Sequence, residues 1–528
     1  MPTTPSSPHR RPPLLHRFSS RAITVALVVA VAASALLWTV PPLTSPADPT
    51  AHSGDDALAA EVRGLLPDGP VAGLSVAVVE DGLIRSAAFG STGTGSPVRP
   101  DTPFENGSTQ KPLTAALFAV MLESGEVGTD TTIGEIWPDV GFAHPSVAAI
   151  TLEELATHHS GLPRLAPQGL PATVRSGAEV FLLGDPYVDA PDPLQAVASL
   201  SDLPGEPGEY AYSNLGYALL GAALAERLGT DYPTALRERV LRPLGMTSTT
   251  LNVPGDPDPP SGAALPHTRS GMRTSTWNNA DYLPAGIGTW STAGDLALFL
   301  RAMMGHETPL GPALRRAAEP LRNSSGPAER SARTGLAWQL WDVSGRDVVW
   351  HNGQTGGQRS FVAHDGERGV VVMANSVGVP VEHLGMRMLG LDLAEFAETP
   401  PGGHLGTAAL TLSLVLGAPL LTLVSVVRER RPAPRGLDRA GVVDALLTGG
   451  VVWLAGLALG DWLALPVLVW ALGGGVLAGA VVLASRRWAS LPALRGRRRW
   501  PRALSVAISV LVLSLPYYVA LSALARLL

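Results

Sequence analysis

One lysine stands out in the stretch FENGSTQKPLTAALFAVML. Lys111 is the only lysine in 528 residues, because every other side chain counted among the 39 lysines and arginines is an arginine. Arginine stays protonated in proteins, whereas a desolvated lysine can lose its proton. Ser108 lies three residues earlier, and residues three apart share a helix face. The pair predicts a nucleophile with its base. The alternative is a lysine retained on a solvated helix face.

Two later stretches carry groups that such a site needs. Tyr212 and Asn214 follow a Pro-Gly turn in GEPGEYAYSNLGYALLG, and His351 and Gly353 end a strand-like run in VVWHNGQTGGQRSFVAHD. Tyr212 could relay a proton, and the Asn214 amide could hold a substrate carbonyl. Glycines near a strand end let a ligand reach backbone N–H groups that stabilise an oxyanion. The alternatives are a half-buried aromatic residue for Tyr212 and a sheet-edge residue for His351.

Taken together, these stretches resemble the serine β-lactamase and penicillin-binding-protein superfamily, in particular its class C-like branch. The three motifs occur in the family's order, and the flanking segments THHSGLPRL, PLGMTSTTL and PAGIGTWSTAGDLALFL are also similar to the family. The similarity covers roughly residues 57–395. It implies an α/β (α+β) β-lactamase-like serine hydrolase domain, with an antiparallel sheet flanked by helices and a mainly helical second region.

The resemblance also implies roles for individual residues. Ser108 would be the acylated nucleophile, and Lys111 and Tyr212 would share the work of general base and acid. Asn214 would position the substrate amide, and the backbone N–H groups of Ser108 and Gln354 would form the oxyanion hole. No cofactor is implied.

The third motif departs from the family pattern. His351 and Gly353 stand where many members have lysine-threonine-glycine, so the permanent cation that would hold a substrate carboxylate is weakened. In the family, His-x-Gly is commoner in esterase-like and aminopeptidase-like members than in efficient β-lactamases. Arg359, just past the motif, is a candidate for the missing positive charge.

Other chemistries are poorly represented. The sequence has no His-Glu-x-x-His, no phosphate-binding Gly-x-x-x-x-Gly-Lys and no Gly-x-Ser-x-Gly. His158 and His159 are adjacent, so their side chains diverge on a helix or strand, and we predict no metal site.

Charge divides the chain into three parts. Residues 1–47 and 401–528 carry seventeen arginines against four acidic residues, whereas residues 48–400 carry twenty-two basic and forty-one acidic residues. The acidic middle argues against a nucleic-acid partner, which requires a basic surface. Arginines at the two ends are better explained by a membrane.

Five segments are apolar enough to cross a bilayer. Residues 1–21 form a basic, cytoplasmic N-terminus, and residues 22–40 form an anchor, with a cleaved signal peptide as the alternative. Residues 405–528 contain four more spans, at about 405–427, 440–460, 462–485 and 503–527; buried core helices are the alternative. Arginine collects in cytoplasmic loops. This pattern places residues 41–404 outside the cell.

The region between the anchor and the later spans is a linker followed by a folded domain. Residues 41–56 have a linker composition, and residues 57–395 alternate strand-like and helical runs. Asp81-Gly82 joins two β-rich runs and predicts a hairpin. Strands at both ends of the domain, with helices between them, predict one sheet assembled from distant parts of the chain.

Two functions are consistent with these observations. The first is a multi-pass membrane protein whose external serine hydrolase domain acts on an ester, amide or D-amino-acid peptide, including cell-wall-derived ones. The second is a slow penicillin-binding protein or sensor that signals through its transmembrane helices. The preserved Ser108, Lys111 and Tyr212 favour the first, because a binding protein has no need for the only lysine.

Overall fold

The fold is given by a computed structural model, which forms two compact units. The described residues between 44 and 399 make up one unit, and those before 44 and after 399 make up the other. The structure describes residues 19–38, 51–66, 72–181, 184–252, 258–269, 271–306, 308–324, 331–393, 403–427, 438–460, 462 and 465–493.

Twelve described strands form two antiparallel sheets. They are β1 (His52–Gly54), β2 (Leu74–Glu80), β3 (Leu83–Phe89), β4 (Phe104–Glu105), β5 (Thr250–Leu251), β6 (Thr289–Ser291), β7 (Arg322–Asn323), β8 (Arg333–Thr334), β9 (Gln339–Val343), β10 (Arg346–Gln354), β11 (Arg359–His364) and β12 (Arg368–Ala374). The large sheet has the order β1-β3-β2-β12-β11-β10-β9-β8-β7, and the small one has the order β4-β6-β5. Because β2 pairs with β12, the prediction of one sheet built from both ends of the domain is confirmed.

Thirteen described α-helices belong to the domain that contains these sheets. They are α2 (Asp56–Leu65), α3 (Gln110–Glu123), α4 (Ile133–Ile136), α5 (Pro145–Ala148), α6 (Leu152–Ala156), α7 (Leu170–Phe181), α8 (Pro193–Ala198), α9 (Asn214–Leu228), α10 (Tyr232–Leu236), α11 (Arg242–Leu244), α12 (Ala293–Met303), α13 (Gly311–Ala317) and α14 (Val381–Met388). Short 3₁₀ turns at Gly107–Thr109 and Ala280–Ala285 lie at the start of α3, and a π-helical segment covers Arg237–Leu241.

The large sheet is covered on both faces, which explains its apolar central strands. Along β2, Val76 and Val78 pack with α2 and α14, whereas Ala77 and Val79 belong to the larger core on the opposite face. Successive side chains of a strand point to opposite faces, so a strand buried on both sides is apolar throughout. The predicted antiparallel sheet flanked by helices is confirmed. The Asp81-Gly82 hairpin is also confirmed, with φ +49° and +75°.

Helix α3 lies inside the larger core rather than on its surface. Its residues from Gln110 to Ala119 are all buried; most are apolar or small, and the buried polar ones, such as Lys111, make hydrogen bonds. This position fixes the segment that carries Ser108 and Lys111.

The second unit contains four described helices that could cross a membrane by length and composition. They cover Ser20–Trp38, Ala408–Val427, Arg439–Leu457 and Val467–Trp488, with mean hydropathies of 2.0, 2.2, 1.7 and 2.3. Three of these spans correspond to α1 (Ser20–Trp38), α17 (Arg439–Leu459) and α18 (Val467–Trp488). The span Ala408–Val427 consists of parts of α15 (Gly403–Leu412) and α16 (Ala418–Val427), which a π-helical turn at Ser413–Gly417 joins. They match four of the five predicted spans, and the fifth, at about 503–527, lies outside the described residues.

Small residues allow α1 to pack closely against α18. A Cβ on Gly479 would lie 3.3 Å from the Ala26 carbonyl oxygen, and one on Gly475 would overlap with the Ala30 carbonyl and the Ser34 side chain. Ala26 is buried in a cluster that α16, α17 and α18 also line. The N-terminal helix therefore packs as a member of the bundle.

Candidate active site

Ser108 and Lys111 lie at the start of α3, where the sequence places them on one face. The 3₁₀ turn Gly107–Thr109 runs directly into α3, and Gly107 has a φ of +51°, a conformation that favours glycine. The Lys111 Nζ donates to Ser108 Oγ at 3.0 Å and to the Ala285 carbonyl oxygen at 2.8 Å. The lysine is fully buried, which contradicts the alternative of a solvated surface lysine.

Burial changes the protonation of the amine. It lowers the pKa of Lys111 well below its usual value, and the positive charge of Arg164 lowers the pKa further. A desolvated ammonium near another cation is unstable, so the neutral amine is favoured. The neutral amine has the lone pair needed to accept a proton from the Ser108 hydroxyl.

Tyr212 and Asn214 are positioned by the first turn of α9. Ser213 is the N-cap, and its Oγ accepts a hydrogen bond from the backbone N–H of Gly216 at 2.8 Å. Tyr212 lies just before this cap, where its hydroxyl hydrogen-bonds with Ser108 and its ring centroid is 5.0 Å from the Lys111 Nζ. The Asn214 Nδ2 donates to the Tyr187 hydroxyl at 2.7 Å, and its buried Oδ1 has no hydrogen-bond partner.

Tyr212 is set up as a proton donor. Burial raises the pKa of the Tyr212 hydroxyl above its usual value, and the hydrogen bond with Ser108 opposes that rise only in part. The phenol therefore stays protonated near neutral pH. Ser108 is contacted by one group that can take a proton and by another that can give one.

His158 packs against the Tyr212 ring and helps to position it. Its Nδ1 accepts a hydrogen bond from the Ser213 backbone N–H at 3.1 Å, and its ring centroid lies 4.4 Å from that of Tyr212. Burial lowers the pKa of His158 well below its usual value, and a proton on Lys111 would lower it further. His158 therefore packs as a neutral ring. Across the described residues, no group of three or more potential metal ligands is found.

The end of β10 forms the opposite wall of the site. A Cβ on Gly353 would overlap with the Asn106 carbonyl and the Ser360 hydroxyl, and it would lie 2.9 Å from the Ser108 backbone nitrogen. A Cβ on Gly107 would lie 2.8 Å from the Gln354 backbone nitrogen. Two glycines thus let the 3₁₀ turn and β10 approach closely, which brings the predicted oxyanion-hole nitrogens of Ser108 and Gln354 to the same place.

The Gly353→Ala variant is expected to acylate more slowly and to be less stable. The added methyl group has no room, and overpacking typically costs about 1–3 kcal/mol of the free energy of unfolding. It would also displace Ser108, and misplacement of a reacting group by about 1 Å can cost 10²-fold in rate. Denaturant unfolding and the rate of labelling by a fluorophosphonate would measure the two effects.

Gly64→Ala in α2 is the matched control. A Cβ on Gly64 meets no atom within 4 Å, and alanine in a helix is favoured over glycine by roughly 0.5–1 kcal/mol. Wild-type stability and labelling in Gly353→Ala would contradict the close approach described above.

His351 and Arg359, the two cations considered from sequence near the third motif, are not available for an anionic ligand. Burial, with a contribution from Lys111, lowers the pKa of His351 to about 3, so the ring is neutral. Its Nδ1–H donates to the Asn352 carbonyl oxygen at 2.7 Å. The Arg359 guanidinium forms an ion pair of 2.7 Å with Glu382. Neither residue lines the cavity next to Ser108.

A cavity of about 530 Å³ opens in front of Ser108. Its walls come from distant parts of the domain: Gly107, Ser108, Arg164, Leu165, Ser176, Gly177, Pro186, Tyr187, Tyr212, Asn214, Trp277, Ala285, Ile287, Asn352 and Gln354. This volume is typical of small-molecule sites, which span about 300–1,000 Å³. Tyr187, Trp277 and Arg164 were not identified as site residues from sequence. Of these three residues, only Arg164 lies in a segment that resembles the family, THHSGLPRL.

Glu105 holds the Trp277 wall in place from inside the protein. It accepts hydrogen bonds from the Thr355 hydroxyl at 2.8 Å and from the Trp277 backbone N–H at 3.0 Å. Burial raises the pKa of Glu105 to about 7, although both hydrogen bonds oppose the rise. The segment just after Gln354 is thereby tied to the Trp277 segment of the cavity wall.

The chain is similar to several known proteins. The family model described as "Beta-lactamase" matches residues 58–395. The D-alanyl-D-alanine-carboxypeptidase/endopeptidase AmpH of Escherichia coli K12 is 29% identical over 239 residues, covering 44% of this chain and 58% of AmpH. Penicillin-binding protein 4 of Amycolatopsis lactamdurans is 27% identical over 318 residues, covering 55% of this chain and 77% of that protein. The chain thus spans little more than half the length of AmpH.

Solved structures support the fold. The octameric penicillin-binding protein homologue from Pyrococcus abyssi superposes with a TM-score of 0.52 and 21% identity, over 61% of this chain and 74% of that one. A class C beta-lactamase superposes with a TM-score of 0.50 and 23% identity, over 61% and 91% of the two chains. At these identities the similarity concerns the fold alone.

Proposed function

The chain belongs to the beta-lactamase family of serine hydrolases, and from that premise we propose that it is a membrane-anchored, extracytoplasmic enzyme that works through an acyl-enzyme on Ser108. One observation carries the proposal. The only lysine of the chain is buried, and its amine lies 3.0 Å from the Ser108 hydroxyl. A buried amine is expensive to maintain, because its charged form is desolvated. Accepting the Ser108 proton is a role that accounts for it.

Acylation follows from the positions of the groups. As Ser108 Oγ attacks the substrate carbonyl, its proton passes to the Lys111 amine. The negative charge that develops on the carbonyl oxygen is stabilised by the backbone N–H groups of Ser108 and Gln354, and removal of one such donor typically costs about 2.7–4 kcal/mol. Tyr212 then gives its proton to the departing alcohol or amine and regains one from Lys111.

Deacylation uses the same groups in reverse. A water molecule attacks the ester formed on Ser108, and its proton goes to the basic pair of Lys111 and Tyr212. As the tetrahedral intermediate collapses, the bond between the carbonyl carbon and Ser108 Oγ breaks, and Ser108 Oγ takes that proton back from the pair. Asn214 lies on the cavity wall with a free acceptor oxygen, where it can bind an N–H of the substrate.

The substrate class is an ester, an amide or a D-amino-acid peptide. The name of AmpH describes a D-alanyl-D-alanine carboxypeptidase and endopeptidase, and this similarity supports including cell-wall-derived peptides among the candidates. The neutral His351 favours substrates that need no cation from the third motif. No cofactor is needed for the steps described above.

Labelling followed by deacylation tests the proposal. The full-length protein in detergent would be treated with a fluorophosphonate probe and a fluorescent penicillin, and p-nitrophenyl esters, nitrocefin and D-amino-acid peptides would be screened for turnover. Ser108 labelling with rapid turnover supports the enzyme. A long-lived adduct without turnover supports the alternative of a sensor that signals through the membrane helices, and an unlabelled Ser108 contradicts both.

Membrane anchoring is supported by the helices of the second unit. Four of them are long and apolar enough to span a bilayer, and α1 packs closely against α18. A helix integrated in a bundle is better explained as a retained anchor than as a cleaved signal. Arginines before α1 and in residues 428–439 and 486–502 favour a cytoplasmic location for these segments, which leaves the domain of residues 57–395 outside.

The proposed topology has five spans and therefore places Leu528 outside the cell. Alkaline phosphatase fused after Leu528 is expected to be active, because this reporter works only in an oxidising, external compartment. The same reporter fused after Arg431, in the first arginine-rich loop, should be inactive and serves as the control. An inactive fusion at Leu528 would show that one of the five spans is miscounted.

A further inference from the structure

Arg164 is the one permanent cation among the residues that line the cavity. The described lining residues include no aspartate or glutamate, and Lys111 and His351 nearby favour their neutral forms. Within the part of the chain that the structure describes, the Arg164 guanidinium forms no ion pair. Arg359 and Arg322, by contrast, pair with Glu382 and Glu153. Among the described residues that line the cavity, Arg164 therefore carries the single permanent charge.

The backbone of Arg164 is held rigidly beside the reacting groups. Its carbonyl oxygen accepts hydrogen bonds from the backbone N–H groups of Asn214 and Leu215, at 3.0 and 3.3 Å. Its guanidinium carbon lies 5.2 Å from the centre of the Tyr212 ring. The side chain is otherwise exposed to solvent. A fixed backbone with an exposed, unpaired guanidinium is the arrangement expected of a ligand-binding arginine.

We propose that Arg164 binds a carboxylate of the substrate and so selects anionic esters, amides or peptides. This inference rests on the proposed function, since it names the substrate class of the same site. A guanidinium pairs with a carboxylate through two parallel N–H···O bonds, and such charge-assisted bonds are stronger than neutral ones. Arg164 lies beside α9 and in contact with Tyr212. Tyr212 is the group that would protonate the leaving group, so Arg164 lies on the leaving-group side of the cavity.

Arg164 has a second physical effect that the experiment must separate from binding. Its charge lowers the pKa of Lys111 and so helps to keep the amine neutral. If this were its only role, its loss would slow every substrate alike and shift the pH dependence. If it binds a carboxylate, its loss would slow anionic substrates more than neutral ones.

Two pairs of matched substrates distinguish these roles in the full-length enzyme. One pair is 4-nitrophenyl hydrogen succinate and 4-nitrophenyl butyrate, which differ by a carboxylate in the acyl group. The other is 3-acetoxybenzoate and phenyl acetate, which differ by a carboxylate on the leaving group. We expect the wild type to favour the anionic member of at least one pair. In Arg164→Gln, the ratio of anionic to neutral kcat/KM for that pair should fall about 10- to 100-fold, the range of a charge-assisted hydrogen bond.

Two further variants complete the test. Arg164→Lys keeps the charge and should retain part of the preference. Arg227→Gln removes an arginine at the far end of α9, about 20 Å from Asn214 by the rise of the helix, and should leave the ratio unchanged. An equal loss for both members of each pair, or no anionic preference in the wild type, would overturn the inference. Fluorophosphonate labelling of Ser108 in the same samples separates this failure from a failure of the proposed function.

Discussion

Ser108→Ala is expected to lose all covalent labelling by fluorophosphonate and penicillin probes and to lower ester turnover by on the order of 10⁶-fold, the loss seen when a serine hydrolase is deprived of its nucleophile. No other hydroxyl occupies the same position. The Ser108 oxygen contacts both the Lys111 amine and the Tyr212 hydroxyl, and its own backbone nitrogen lies beside Gly353. Intact-protein mass spectrometry after probe treatment would measure the label directly.

Ser124→Ala is a suitable control for this experiment. Ser124 caps the other end of α3, where its hydroxyl bonds to the Val120 carbonyl oxygen, so the variant changes the same helix without touching the cavity. It should label like the wild type. Labelling that persists in Ser108→Ala would place the nucleophile elsewhere and remove the basis of the proposed mechanism.

Much of the site could be predicted because its chemistry lies in short segments. Ser108 and Lys111 are one helical turn apart, so local geometry was enough to bring them together. Tyr212 and Asn214 flank an N-cap serine, and a capping residue is recognisable from its type and position. The Asp81-Gly82 hairpin was predictable for the same reason, since a two-residue turn depends only on its own residues.

The cavity wall could not be predicted, because it is assembled by tertiary packing. Arg164, Tyr187 and Trp277 come from three loops that are far apart in sequence, and a loop residue has no periodicity to reveal where it points. Sequence reasoning considered Arg359 as the missing cation, whereas the structure pairs it with Glu382 across 23 residues. Such an ion pair follows from the docking of α14 beside β11.

The role of His351 also depended on burial. From sequence, a histidine in place of the family's lysine was interpreted as a weakened cation in a substrate-binding position. The structure buries the ring, and burial lowers the pKa of His351 to about 3, so the ring is neutral near neutral pH. The His351 ring lies next to the Tyr212 ring, with their centroids 6.4 Å apart. This proximity to Tyr212 is the only connection between His351 and the proposed reaction.

Lys111→Met is expected to slow acylation of an activated ester by about 10²–10⁴-fold, the usual contribution of a general base. Methionine has nearly the shape of lysine, so the packing of α3 is preserved while the proton acceptor is removed. Lys111→Arg is the other obvious substitution, because arginine replaces lysine everywhere else in the chain. Full burial makes that substitution less clean, because arginine is larger and carries a permanent charge, and overpacking alone costs about 1–3 kcal/mol.

The pH dependence identifies the amine more directly than the rate does. The pKa of Lys111 is lowered, so the neutral base is lost as the pH falls through that lowered value, and wild-type acylation should decline there. The raised pKa of Tyr212 keeps its proton in place over the same range. Lys111→Met has no such amine, so its residual rate should lack this acidic limb. We would measure acylation of 4-nitrophenyl butyrate by stopped flow from acidic to alkaline pH. A near-wild-type rate, or an unchanged acidic limb in Lys111→Met, would mean that another group takes the Ser108 proton.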